Sequence, residues 1–274
     1  MKKDTFMQRA KTDIKNHKVK FCVYLILRIL VIASLVMAAI RKEYENVFVC
    51  VLSLLLFFAP TFIEKTLKID LPSTFEIIVL LFIFSAEILG EIHNYYMIVP
   101  YWDTVLHALN GFLFAAFGFS LLDIINRNPR FKFQLSPFYL AVVAFCFSMT
   151  IGVLWEFIEF GCDMLLGTDT QKDFIINTIS SVKLNPDGLN VPTVINNITQ
   201  TTVNGRDLGI NGYLDIGLMD TMKDLLVNFV GAVIFSIIGF FYIKNRGKGE
   251  FAKQFIPVIE EDTQNIEKQK NSEQ

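Results

Sequence analysis

The sequence predicts an all-α integral membrane protein, a six-helix transmembrane bundle with a small β-containing extracytoplasmic loop region. Of its 274 residues, 53% are hydrophobic, and the mean hydropathy of +0.44 is too high for a soluble domain of this length. Apolar segments long enough to cross a hydrocarbon core of about 30 Å recur along the chain. Lys and Arg cluster in the short segments beside them, as is typical of multi-pass membrane proteins.

The apolar segments define a predicted membrane domain over residues 21–243. Its six spans are expected at about 21–40, 47–63, 76–92, 104–125, 138–160 and 221–243. The first span is longer than the apolar core of a signal peptide and lacks a small-residue cleavage motif, so we expect it to be retained.

The distribution of basic residues predicts the orientation of the spans. Residues 1–20 are rich in Lys and Arg and should stay cytoplasmic. Counting spans from there also places Lys65, Lys68 and the basic residues after spans four and six inside, whereas Arg41 and Lys42 disagree. The loop from His93 to Trp102 has no Lys or Arg but carries aromatic residues typical of the outer membrane interface. Both termini are therefore expected to be cytoplasmic.

Two segments are expected outside the membrane. Residues 164–219 are rich in Asn, Thr and Gly, with β-branched runs and Asn204-Gly205 at the centre of a hairpin pattern. They predict a small β-containing extracytoplasmic insertion. Residues 244–274 are charged, poor in aromatic residues after Phe255 and interrupted by Pro257, which predicts a flexible cytoplasmic tail.

Common catalytic and cofactor motifs are absent from the sequence. Its four cysteines contain no CxxC pair, and we find no P-loop, GxGxxG, HExxH or GxSxG motif at a plausible position. The formal net charge of −2 is spread over separate segments, and no nucleic-acid partner is predicted. The informative signal is the set of polar residues inside the spans.

Polar and small residues share one face on each of spans four, five and six, at about 100° of helix rotation per residue. These faces carry Asp103, His107, Asn110, Gly111, Phe114 and Gly118; then Ser148, Gly152, Glu156, Glu159 and Asp163; then Asp220, Asp224, Asn228 and Gly231. Ionisable side chains at membrane depth are costly unless they face a partner or a wet cavity, so the three faces should point toward one another.

The predicted topology places all the acidic residues at the outer ends of their spans, where they would form one shared pocket. Carboxylates so close together need protons or a cation to neutralise them. Hard oxygen ligands with a single imidazole suit Mg, Mn, Ca or Zn. The predicted metal ligands are Asp103, His107, Glu156, Glu159, Asp220 and Asp224, with Asn110, Asp163, Asn228, Glu87 and Glu91 in supporting roles.

Each of these residues also has a structural interpretation. Asp103 and Asp220 would serve as helix N-caps, and His107 would hydrogen-bond a neighbouring helix. Glu156 would need a partner on another helix, whereas Asp163, Glu87 and Glu91 lie close enough to water to be solvated.

Three stretches resemble the YjdF-like family of bacterial multi-pass membrane proteins, which has no settled activity. They are WDTVLHALNGFLFA, GVLWEFIEFGCDMLLGTDTQKD and NGYLDIGLMDTMKDLLVNFVGA. The resemblance covers roughly residues 80–243 and implies a bacterial cytoplasmic membrane.

A more distant similarity is to the VanZ-like family, with its D-x-x-x-H, E-x-x-Q and D-x-x-x-N-x-x-G pattern. Asp103 and His107, Glu156, and the series from Asp224 to Gly231 match these motifs. Glu159 replaces the Gln, an expected Arg is missing, and an insertion precedes Asp220, so no VanZ-like activity is carried over.

Three functions remain open from the sequence. The first is a membrane enzyme or binding protein with a divalent metal in the outer pocket, acting on a lipid-linked or envelope substrate, with His107 or Glu156 as general base. The second is a proton- or cation-coupled transporter. The third is an envelope assembly module in which the polar network only fixes the helix packing. The sequence predicts the lipid bilayer as a partner and does not predict an oligomeric state.

Overall fold

The structure is a computed structural model that describes residues 18–127, 135–245 and 247–259. Most of the predicted basic segment 1–20 and the distal part of the predicted tail lie outside these ranges. The chain divides into two compact units, Met1–Thr150 with Val227–Gln274, and Ile151–Leu226.

Most of the described residues are helical. The α-helices are α1 Lys18–Arg41, α2 Tyr44–Leu56, α3 Ala59–Leu67, α4 Ser73–Ile83, α5 Tyr95–Ile98, α6 Trp102–Arg127, α7 Pro137–Leu166, α8 Leu218–Lys244 and α9 Glu250–Lys253. A π-helix, Phe84–Ile92, follows α4 directly, and a 3₁₀ turn covers Val182–Leu184.

Five helical segments of the described residues are long and apolar enough to cross a membrane: α1, the α2–α3 segment Tyr44–Leu67, α6, α7 and α8. The remaining predicted span, residues 76–92, is helical but changes from α to π geometry at Phe84. The class of all-α membrane protein is therefore confirmed, and the count of six spans is approximate because one predicted span is composed of two helix types.

A phenylalanine-rich core holds the first unit together. Phe112 packs edge-on against Phe235 and Phe255, with ring centroids 5.1 and 5.0 Å apart, and Phe75 meets Phe255 in the same way at 6.5 Å. Edge-to-face pairs add to the stability that comes from burying the ring area. This cluster joins α4, α6, α8 and the segment after α9.

Small residues let α6 and α8 approach closely within this unit, as predicted from their shared faces. A methyl group added at Gly111 would collide with the backbone carbonyl of Asn228. One added at Gly231 would collide with the carbonyl of Ala108. Glycine is therefore required at both crossings because no Cβ fits between the two backbones.

The first part of the predicted flexible tail is folded. After α9, Phe255 and Ile256 are buried in the phenylalanine-rich core, and Val258–Ile259 forms strand β8, which pairs antiparallel with β1, Ile69–Asp70. The tail prediction is corrected for residues 250–259, because Ala252, Phe255 and Ile256 are buried in the core of the first unit. Residues 260–274 lie outside the described residues.

The second unit contains short strands between the ends of α7 and α8. The strands are β2 Ile175–Ile176, β3 Ile179–Ser181, β4 Thr193–Ile195, β5 Thr202–Val203, β6 Arg206–Asp207 and β7 Tyr213–Leu214. They form three antiparallel pairs, β2 with β7, β3 with β4, and β5 with β6.

The predicted hairpin at Asn204-Gly205 is confirmed. Val203 pairs with Arg206, and the two residues between them have φ angles of 50° and 78°. Two positive φ values are characteristic of the type I′ turn, which Asn-Gly favours because both residues tolerate the left-handed region.

Candidate functional site

In the first unit, Asp103 and His107 lie one turn apart at the start of α6. The Nε2 atom of His107 is 3.3 Å from Oδ1 of Asp103, and the side chains are 12% and 28% exposed, respectively. Asp103 is the second residue of the helix, so the N-cap interpretation is wrong for it. The helix dipole favours the Asp103 carboxylate in the first helical turn. This carboxylate orients the partly buried imidazole of His107 beside it.

One turn further along α6, buried amides connect three helices of the same unit. Asn110 donates from Nδ2 to Oδ1 of Asn228 over 3.0 Å, and Asn228 donates to the Met149 sulfur at 3.6 Å. Ser148 donates to the Gly111 carbonyl over 2.7 Å. These contacts satisfy polar groups that would be costly to leave unpaired, so the predicted supporting residues Asn110 and Asn228 have a packing role.

In the second unit, Asp220 and Asp224 lie on the buried face of α8. Their side chains are 9% and 2% exposed. The Lys223 ammonium is 3.5 Å from Oδ1 of Asp220 and 3.6 Å from Oδ1 of Asp224, so it lies between the two carboxylates. The backbone N–H of Lys172 also donates to Oδ2 of Asp220, at 3.0 Å.

Lys223 was missed by the sequence reasoning because it lies off the polar face of span six. The signal that could have found it is its spacing, three residues after Asp220 and directly before Asp224. Its ammonium also lies 5.7 Å from the centre of the Phe174 ring. The ammonium thus contacts an aromatic ring as well as two carboxylates.

Asp163 organises the chain as it leaves α7. Its carboxylate accepts hydrogen bonds from the Thr168 hydroxyl at 2.8 Å, from Thr170 N at 2.7 Å and from Gln171 N at 2.8 Å. Thr170 also donates its hydroxyl to the Glu159 carbonyl at 3.0 Å. The predicted supporting role of Asp163 is therefore to anchor the loop.

Asp215 accepts a backbone hydrogen bond at the beginning of α8. This is the capping role that the sequence suggested for Asp220. Asp220 is the third residue of the helix, whereas Asp215 accepts from Met219 N, in the first turn, at 2.7 Å. It also accepts from Phe174 N at 2.8 Å and is 8% exposed. The capping interpretation is thus wrong for Asp220 and applies to Asp215, which the sequence reasoning did not select.

The other predicted acidic residues differ in exposure. Glu156 is buried at 4% exposure on α7, and Glu159 is partly exposed one turn later. Glu87 is half-buried and Glu91 exposed on the π-helix of the first unit. The loop carboxyl of Asp173 has a pKa above its ordinary value, because desolvation and neighbouring carboxylates disfavour its charged form.

The predicted ligand set is thus divided between the two units. Asp103 and His107 belong to the first, and Glu156, Glu159, Asp220 and Asp224 belong to the second. The first group offers a carboxylate-oriented imidazole, which suits proton transfer. The second offers hard carboxylate oxygens around an ammonium, which suits cation binding. That all six residues share one pocket stays a prediction.

Comparison with known proteins matches most of the chain to one family of predicted membrane proteins. A family model described as "Predicted membrane protein (DUF2238)" matches residues 23–245. An uncharacterized protein of Thermotoga maritima is 28% identical over 116 residues, which are 42% of this chain and 58% of that protein. The match therefore spans a little over half of the relative's length. No solved structure matches the chain.

Proposed function

The chain belongs to the DUF2238 family of predicted membrane proteins, and we propose that it binds a divalent cation through carboxylates of its second unit to bind or act on a lipid-linked or envelope ligand. The proposed ligands are Asp220 and Asp224, assisted by Glu156 and Glu159. The proposed location is the outer side of a bacterial cytoplasmic membrane, with both termini cytoplasmic, as the Lys and Arg distribution indicates.

The observation that supports this proposal is the Asp220–Lys223–Asp224 arrangement. One ammonium lies at almost equal distances from two buried carboxylates, at 3.5 and 3.6 Å, which is longer than the 2.7–2.9 Å of a good charge-assisted hydrogen bond. Lys223 is 37% exposed, so its side chain is in contact with the surroundings of the protein as well as with the two acids. A divalent cation would bring twice the charge to about 2.0–2.6 Å from the same oxygens.

The donor atoms limit the identity of the cation. Carboxylate oxygens without thiolates favour Mg, Mn or Ca, and a histidine ligand would extend the range to Zn. The Asp103–His107 pair of the first unit is the proposed proton-transfer element, with His107 as general base. Glu156 is the alternative base because it is buried on a membrane-spanning helix.

The test is divalent-cation binding by full-length protein purified in detergent. Metal analysis and thermal denaturation with Mg, Mn, Ca or Zn should show one cation that is retained and raises the melting temperature. Asp224→Asn should abolish that rise, whereas Asp187→Asn, the same change at an exposed loop position of the same unit, should preserve it. No bound metal and no stabilisation by any of the four ions would overturn the proposal.

A structural role of the polar residues is the second candidate, and specific contacts favour it. Asn110 and Asn228 hydrogen-bond to each other, and Asp163 and Asp215 each accept several bonds from loop backbone. Wild-type function and expression of Glu156→Gln would support an assembly module over a catalytic site. The transporter hypothesis gains less support, because Phe112, Phe119 and Phe235 fill the interior of the first unit.

A closer relationship to the YjdF-like family is part of the same proposal. Likeness to YjdF-like and VanZ-like proteins rests on the spacing of Asp103, His107, Glu156 and Asp224. It lends no reaction to this chain.

A further inference from the structure

An apolar groove lies on the first unit between α4 with the start of the π-helix and the beginning of α6. It has a volume of about 190 Å³. Its lining includes Leu81, Phe82 and Ser85 on one side and Trp102, Val105 and Leu106 on the other. The groove belongs to neither of the polar clusters described above.

The groove is continuous with the lipid-facing surface of the membrane domain. Leu81 and Val105 line it and are 43% and 61% exposed. Apolar side chains exposed on membrane-spanning segments contact lipid rather than water. A hydrocarbon chain can therefore enter the groove from the bilayer without crossing an aqueous phase.

The polar atoms at one end of the groove are bonded to each other. The Trp102 indole N–H donates to the Ser85 carbonyl over 3.2 Å, and Tyr95 packs edge-on against the indole with centroids 5.0 Å apart. Tryptophan and tyrosine are typical of the membrane interface. The groove thus presents an apolar wall with an aromatic end, which suits a hydrocarbon chain and not a charged headgroup.

The size of the groove selects a slender occupant. Its volume of about 190 Å³ is below the roughly 300–1,000 Å³ of pockets that enclose compact small molecules. An unbranched acyl chain fits such a space better than a prenyl chain, because every methyl branch widens the chain.

The Asp103–His107 pair lies on the helix that forms one wall of the groove. At about 100° per residue, the face of α6 with Trp102, Val105 and Leu106 lies roughly 125° from the face with Asp103 and His107. The groove and the polar pair therefore lie on different faces of one helix.

We propose that this groove binds one acyl chain of a membrane lipid, and that an acyl-chain lipid is the class of ligand that the protein binds or acts on. The claim that this lipid is the ligand of the protein rests on the proposed function. The occupancy of the groove is measured independently of any cation.

The experiment uses Trp102 as the reporter, because the chain has two tryptophans and the other, Trp155, is 46% exposed on α7. In the Trp155→Phe protein in detergent, phosphatidylglycerol with brominated acyl chains should quench Trp102 fluorescence saturably. Unlabelled phosphatidylglycerol should reverse the quenching. Val105→Phe and Leu81→Phe, which fill the groove, should each weaken the apparent affinity about tenfold or more.

The matched control is Val142→Phe, the same change at an exposed position of α7 that does not line the groove, and it should leave the affinity unchanged. Quenching that rises linearly without saturation, or equally in all variants, would overturn the proposal. If a polyprenyl phosphate reverses the quenching and phosphatidylglycerol does not, the groove binds a prenyl chain and the assignment of an acyl chain is overturned.

A second comparison separates this inference from the cation site. Asp224→Asn should keep the saturable quenching while it loses the cation-dependent stabilisation. If the wild type shows saturable quenching but binds no cation, the proposed function is refuted and the groove proposal stands. If it binds a cation but shows no saturable quenching, the groove proposal is refuted and the proposed function stands.

Discussion

Lys223 lies 3.6 Å from the buried carboxylate of Asp224, on the adjacent position of the same helix. The ammonium also lies 3.5 Å from the carboxylate of Asp220, three residues earlier on the helix, so a single cation is shared by two acids. Removing it would leave two carboxylates of like charge close together in a poorly solvated site, which raises the free energy of the folded state.

Lys223→Met is therefore expected to destabilise the protein by about 1–2 kcal/mol in the absence of divalent cations, a figure reduced for the partial exposure of the lysine. If the two acids bind a cation, added cation should restore most of this loss. Thermal denaturation with chelator and with each metal ion checks both effects. Lys183→Met, in the exposed loop of the same unit, is the control and should melt like the wild type in both conditions.

Gly111→Ala is expected to destabilise the first unit by about 1–3 kcal/mol, because the new methyl group would overlap the Asn228 carbonyl and force α6 and α8 apart. Gly161→Ala is the matched change on α7, where no atom lies within 4 Å of the added carbon. It should be neutral or slightly stabilising, since alanine favours the helix by about 1 kcal/mol. Equal melting temperatures for the two variants would contradict the close approach of the helices.

Asn228→Ala should cost about 1–3 kcal/mol, because it removes the acceptor of the partly buried Asn110 amide. The double variant with Asn110→Ala should be less destabilised than the sum of the two single variants. Denaturant unfolding in mixed micelles measures the coupling free energy. Strict additivity would mean that the two amides do not interact.

Phe255→Ala should destabilise the first unit by about 3–5 kcal/mol, because Phe255 is buried against Phe75, Phe112 and Phe235. The amide protons of the β1–β8 pair should then exchange faster with solvent. Phe138→Ala, at a position of α7 in the same unit that is 69% exposed, is the control. Hydrogen exchange at β1 that does not respond to Phe255→Ala would argue against the packing described for this segment.

Helical periodicity predicted the buried face of α8 correctly. Asp220, Asp224, Asn228 and Gly231 are all buried there, because residues three or four apart share one side of a helix. The Asn-Gly hairpin was equally predictable, since its turn depends on two adjacent residues only.

Other features depend on contacts that sequence spacing does not encode. Asp215 caps α8 because the chain from Phe174 returns beside it, which is a long-range event. The π geometry of residues 84–92 accompanies the packing of Tyr96 so close to Gly90 that a methyl group there would collide with the ring. The folded segment around Phe255 was not predicted, because the abundance of charged residues in this part of the sequence suggested disorder.

The pairing of β1 with β8 has a consequence for biosynthesis. Ile69 and Asp70 leave the ribosome long before Ile259 and Val258, their partners in the ladder. The membrane-spanning helices can insert one after another during translation, yet the apolar cluster that receives Phe255 stays incomplete until nearly the whole described chain has emerged. During that interval the nascent protein exposes a phenylalanine-lined surface, which makes it a substrate for chaperones and quality-control proteases until the last segment docks.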